Sequence, residues 1–145
     1  MNADNQARNS GKSFARFLPA IARVLMGLAF LTFGLNGFLN FIPQPKTMPE
    51  GAANLFGAFM KSGYMIPLIF GTQTLVGVLL LLNIFVPLAL AFIAPVIVNI
   101  VAFHIYIERS GLPIACVFLA IELYLAWSYR RAFRPMLALK TKPGL

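Results

Sequence analysis

The stretch Phe85–Ile107, FVPLALAFIAPVIVNIVAFHIYI, runs for 23 residues without a charged side chain. At about 1.5 Å of rise per residue, a helix of that length crosses the roughly 30 Å hydrocarbon core of a bilayer. A helix apolar all round sits either in the core of a large protein or in a membrane. A chain of 145 residues has no core large enough to hide it. The expectation is therefore a membrane span, kinked at Pro95 and partnered by other spans that tolerate the kink.

Reading outward, Glu108–Gly111 forms a turn, and a further apolar run from about Leu112 to Tyr129 follows, with Pro113 in its first turn. Trp127 and Tyr129 stand at its end as interface anchors. On the other side, Asn83 and Ile84 alone separate the Phe85 run from an apolar run over about 64–82, which predicts a tight antiparallel hairpin. A first run extends from Phe17 to about Ile42 and is ended by Pro43 and Pro45. It exceeds the roughly 7–15 apolar residues of a signal-peptide core. Between it and the second run, Pro49-Glu50 suits a helix start, Leu55, Phe56, Phe59 and Met60 recur at helical spacing, and Gly63 suits a cap. This segment reads as a short amphipathic helix on the membrane surface. The expected fold is all-α: one polytopic four-helix membrane bundle with a short amphipathic helix between helices one and two. Residues 1–13 are expected to be disordered, and 130–145 form a basic tail.

Composition agrees. Charged residues are 11% and hydrophobic ones 59%, with a mean hydropathy of +0.80, against roughly 25% charge in soluble domains. The net charge of +8 does not indicate nucleic acid, because eight of the twelve cations (Arg8, Lys12, Arg16, Arg130, Arg131, Arg134, Lys140, Lys142) flank the apolar region. Flanks of this kind set topology and meet anionic headgroups. The opposite side holds Lys46, Lys61 and Arg109, offset by Glu50 and Glu108. The bias places both termini in the cytoplasm. The single Cys116 excludes an intramolecular disulfide or a CxxC pair. One His and scattered acids make no metal ligand set, and no phosphate-binding or nucleophile motif is present.

Ionisable groups inside a membrane need a partner or a purpose. Arg23 and Glu122 lie at matching depths, about 9–10 Å from the cytoplasmic ends of helices one and four. Arg23 shares its face with Gly27, Gly34 and Gly37, and Glu122 shares its face with Ala115 and Ala126. Small residues let helices approach, so an intramembrane Arg23–Glu122 ion pair is expected. It is read as structural before proton-handling, with snorkelling of Arg23 as the alternative.

A second polar group gathers toward the other side. Asn36 and His104 lie nineteen residues into their helices, about 28 Å from the cytoplasmic side. Asn40 and Glu108 each follow one turn later, and Gln73 and Asn99 lie deeper. Asn36, Asn40, Gln73, Asn99, His104 and Glu108 are candidates for one outward-opening polar pocket, with aromatic walls from Phe33, Phe38, Phe103 and Tyr106. Such a pocket suits a small polar head on an apolar molecule, for example a quinone ring. The alternative is ordinary interhelical hydrogen bonding, worth only about 0.6 kcal/mol each.

The runs RVLMGLAFLTFGLNGF (Arg23–Phe38), TQTLVGVLLLLNIFVPLAL (Thr72–Leu90), PVIVNIVAFHIYI (Pro95–Ile107) and ELYLAWSYRRAFRP (Glu122–Pro135) together resemble the DoxX/DoxD-like family over residues 17–135. The resemblance implies a four-helix protein of the bacterial inner membrane. It also implies a place as an accessory or quinone-interacting subunit of a membrane redox system, with a redox protein as partner. Many members carry Glu on helix two where this chain has Gln73, so no carboxylate role is implied there. Two other readings stay open: a scaffold recruiting a partner through the 43–63 loop or the basic tail, and an oligomeric small-molecule transporter.

Overall fold

The structure is a computed structural model that describes residues 17–43 and 47–140. Among them there is no strand, and every element is helical: α1 (Leu18–Leu39), α2 (Glu50–Ser62), α3 (Met65–Leu82), α4 (Val86–Tyr106), a 3-10 turn (Arg109–Gly111), α5 (Leu112–Ser128) and α6 (Arg130–Phe133). Four segments, Leu18–Leu39, Met65–Leu82, Val86–Tyr106 and Arg109–Ser128, are long and apolar enough to cross a membrane. They mark the chain as a multi-pass membrane protein with an all-α bundle fold. Expectations for residues 1–13 and for Pro45, Lys46 and Lys142 fall outside the described residues.

The ends of the helices follow from local chemistry. Helix α1 stops at Leu39, three residues short of the expected end, because Asn40 turns left-handed at φ 50°. The Asn36 side chain then accepts the Ile42 N–H at 2.7 Å, closing the turn. Asparagine tolerates this backbone region better than other residues with a side chain. Helix α3 closes the same way at Asn83, φ 57°. Asn83 N–H reaches the Leu80 carbonyl at 3.2 Å and Ile84 N–H the Leu79 carbonyl at 3.1 Å, the paired bonds of a Schellman cap. Phe85 is also left-handed, φ 48°, so three residues suffice to reverse the chain into α4. Helix α2 begins at Pro49-Glu50, carries Lys61 in its last turn and ends at Gly63, φ 74°, as its sequence signals required.

The four spans pack in the order α1, α3, α4, α5, and α5 returns to α1. Their core is Met26, Phe30, Val76, Leu80, Ala89, Leu90, Ile93, Ile97 and Leu125, all at most 2% exposed. The outward faces are equally apolar: Leu25, Leu75, Phe92, Val98 and Leu123 are each at least half exposed. Hydrophobicity therefore cannot choose which helices meet, and small residues do. The tightest seam joins α1 to α3. A Cβ on Gly34 would run into Thr74, and one on Gly77 into the Leu31 backbone. By contrast, a shallow apolar groove of about 350 Å³, walled by Leu25 and Ala29 on one side and Ile114, Val117 and Ile121 on the other, runs along the looser contact between α1 and α5.

Candidate functional site

The α1–α3 seam carries Arg23 with it. One turn before Gly27, its guanidinium is buried, and Nη1 donates to the Leu80 carbonyl in the last turn of α3. A cation at a helix C-terminus meets the negative end of the helix dipole. The expected Arg23–Glu122 ion pair is corrected accordingly: no such contact forms, and Glu122 is buried on α5 with Oε2 unpartnered. The glycine face of α1 is committed to α3, so the arginine that shares that face is turned from α5.

At the far end of the bundle, opposite the Asn83–Phe85 hairpin, a cavity of about 620 Å³ lies between α2, the first half of α3 and the second half of α4. Its walls are predominantly apolar: Leu55, Phe56 and Phe59 from α2, Ile69 and Phe70 from α3, and Ile100 and Phe103 from α4. A few polar groups interrupt them, namely Gln73, Asn99, His104, Glu108 and Ser110, with Thr47 at the loop. Large size, apolar walls and few polar groups are the pattern of small-molecule sites.

The polar corner is built from one turn of chain. Where α4 ends, Glu108 becomes extended and caps the 3-10 turn. Its carboxylate accepts the N–H groups of Ser110 (2.9 Å) and Gly111 (3.3 Å). Hydrogen bonds from the Ser110 hydroxyl, then from the Ser110 and Gly111 amides, with His104 beside it, hold its carboxyl below the ordinary 4.5. The Glu108 carbonyl lies 2.7 Å from His104 Nδ1, and the carboxylate Oε2 lies 3.3 Å from the same nitrogen. A carbonyl only accepts, so Nδ1 carries the proton and donates. Nε2 is then the nitrogen left for a ligand, an acceptor in the neutral ring and a donor in the imidazolium. Phe103 meets the imidazole edge-on, centroids 5.1 Å apart, and Gly111 lies so close that a Cβ there would enter the ring.

Gln73 is 6% exposed and lines the cavity. No hydrogen bond to its side-chain amide forms among the described residues. Asn99 lines the cavity from α4 and is itself exposed.

Four of the six expected pocket residues thus converge: Gln73, Asn99, His104 and Glu108. Asn36 and Asn40 do not, because both are used to end α1. Of the expected aromatic walls only Phe103 lines the cavity. Phe33 meets Phe118 (6.4 Å between centroids), Phe38 meets Phe70 (6.4 Å), and Tyr106 is 85% exposed. The walls the sequence reading missed are Phe56, Phe59 and Phe70. The apolar spacing of α2 picked out Leu55 and Phe59, which are half-buried, together with Phe56 and Met60, which are exposed, and it could not show that a cavity lies beneath the helix.

Comparison of the chain with protein-family models, with curated proteins and with solved structures returns no match. Function therefore has to be argued from the site.

Proposed function

We propose that this protein binds an apolar molecule with a hydrogen-bonding head, a quinone, and serves as an accessory subunit of a membrane redox system. The observation that carries the reading is the 620 Å³ apolar cavity with Gln73 and His104 in its wall. A quinone ring offers two carbonyls; Gln73 offers an amide N–H to one, and His104 offers Nε2–H to the other in its imidazolium form, while the neutral ring accepts there from a quinol hydroxyl. Aromatic walls from Phe56, Phe70 and Phe103 suit a flat ring. The resemblance to DoxX-like proteins and the distribution of cations add the setting: a bacterial cytoplasmic (inner) membrane, both termini inside, the cavity toward the outer face, and a redox protein as partner.

The test is purification in mild detergent, organic extraction and mass spectrometry for co-purifying quinone, wild type against His104→Ala. Quinone on the wild type and its loss from the variant are the expected result. No quinone on either, from monodisperse helical protein, refutes the reading. The protein would then be taken as a scaffold, a second reading favoured by Met136, Leu137 and Leu139, which stand exposed beyond α6 among Arg131, Arg134 and Lys140.

A further inference from the structure

We propose that the ligand is a long-tailed quinone that enters the cavity sideways from the bilayer, between α3 and α4 at Asn99, and leaves its tail in the lipid there. The proposal rests on the reading of the cavity as a quinone site and adds the route and the form of the molecule.

The route follows from where the wall is open. The cavity lies between the halves of α3 and α4 remote from the hairpin that ties them together. Its end is roofed by α2, whose Ala52 is 4% exposed and whose Leu55 and Phe59 are half-buried over it. On the α4 side the wall is interrupted: Pro95 and Asn99, one turn apart, both line the cavity and are both exposed. Lining residues that are also exposed mark two openings, one on the loop and α2 side at Thr47, Met48, Pro49, Phe56 and Ser110, the other within the span of α4 at Pro95 and Asn99. The strip around Pro95 and Asn99, Phe92 at 51% and Val98 at 61% exposure, is apolar, so this second opening faces lipid. Asn99 stands seven residues before the end of α4 at Tyr106, about 10 Å below that end at 1.5 Å per residue. That depth is within the hydrocarbon layer.

The form of the ligand follows from size and polarity. A cavity of about 620 Å³ takes a ring with the start of a chain, as drug-sized sites of ~300–1,000 Å³ do. A tail as long as a leaflet, about 15 Å, has to lie outside. Gln73, nine-tenths buried in the cavity wall, holds the inner end of the head, and His104 Nε2 the outer end. Asn99 is an amide on a lipid-facing strip, where polar groups are unfavourable without a partner. At the opening it offers a passing head one hydrogen bond between lipid and cavity.

The experiment uses full-length protein in nanodiscs and two probes, decylubiquinone and the tail-less 2,3-dimethoxy-5-methyl-1,4-benzoquinone, with bound probe measured by extraction and mass spectrometry. Asn99→Trp fills the opening, Met48→Trp narrows the loop-side rim, and Val98→Trp adds the same bulk on the strip outside the cavity. The expected result is about a ten-fold loss of decylubiquinone affinity in Asn99→Trp alone, with the tail-less probe retained by all three variants. Loss of decylubiquinone in Met48→Trp with retention in Asn99→Trp overturns the lateral route and leaves the quinone site standing. Absence of both probes from the wild type overturns the site and the route together. Should Asn99→Trp not fold, a Cys116→Ser, Asn99→Cys protein, folded first and then alkylated with a bulky maleimide, provides the same block and the same two outcomes.

Discussion

Replacing Gly77 by alanine tests the account of how this bundle is held. In the structure an added Cβ lies 2.5 Å from Leu31 N and 2.7 Å from Leu31 Cα, where ordinary contact begins at 3.4 Å. These neighbours are backbone, so no side-chain rotation relieves the clash, and α1 has to move off α3 by nearly 1 Å. Overpacking of this kind costs about 1–3 kcal/mol, a roughly five- to 150-fold fall in the folding equilibrium. The loss adds to any weakening of the Arg23–Leu80 bond further along the same seam. Gly71→Ala, on the same helix but with nothing within 4 Å of its Cβ, is the control. It is expected to be neutral or to gain up to about 1 kcal/mol from the lower entropy of the unfolded chain. Unfolding by steric trapping in bicelles measures both. Equal stability of the two variants would refute the glycine seam and with it the reason given for the orientation of Arg23.

Other outcomes follow from the site. Gln73→Leu removes an amide from the cavity wall, so quinone retention measured by mass spectrometry falls about ten-fold with helical content unchanged; retention at the wild-type level would refute the role given to Gln73. Gly111→Ala displaces the imidazole and lowers quinone affinity about ten-fold with little change in helical content by circular dichroism. Glu108 is held as a carboxylate with its pKa below 4.5. A depressed carboxyl stabilises the fold fully above its ordinary value and loses that contribution as pH falls through the folded one. Thermal stability of the wild type should therefore drop below about pH 4.5 more steeply than that of Glu108→Gln. Arg23→Ala and Glu122→Gln should act independently, with a coupling under about 0.5 kcal/mol in a double-mutant cycle; a larger coupling would restore the ion pair that the structure lacks.

The spans, their order and the short helix between the first two were legible in the sequence, because uninterrupted apolar length decides what crosses a membrane and no packing detail enters. The helix ends were legible where proline or glycine set them, at Pro49 and Gly63. They were not where Asn40 took the left-handed turn and shortened α1. Gln73, Asn99, His104 and Glu108 were legible as polar residues gathered, at staggered depths, toward one end of the bundle. Depth is only one coordinate, however, and rotation about each helix axis is the other. Arg23 and Glu122 have the right depth and the wrong rotation, since Gly27, Gly34 and Gly37 turn α1 toward α3. The same rotation, together with the demands of the α1 cap, takes Asn36 and Asn40 away from the cavity. In a bilayer every face of these helices is apolar enough to meet lipid, so hydrophobicity carries no information about which faces pair. Close packing at the glycines carries it, and that is a property of the assembled bundle.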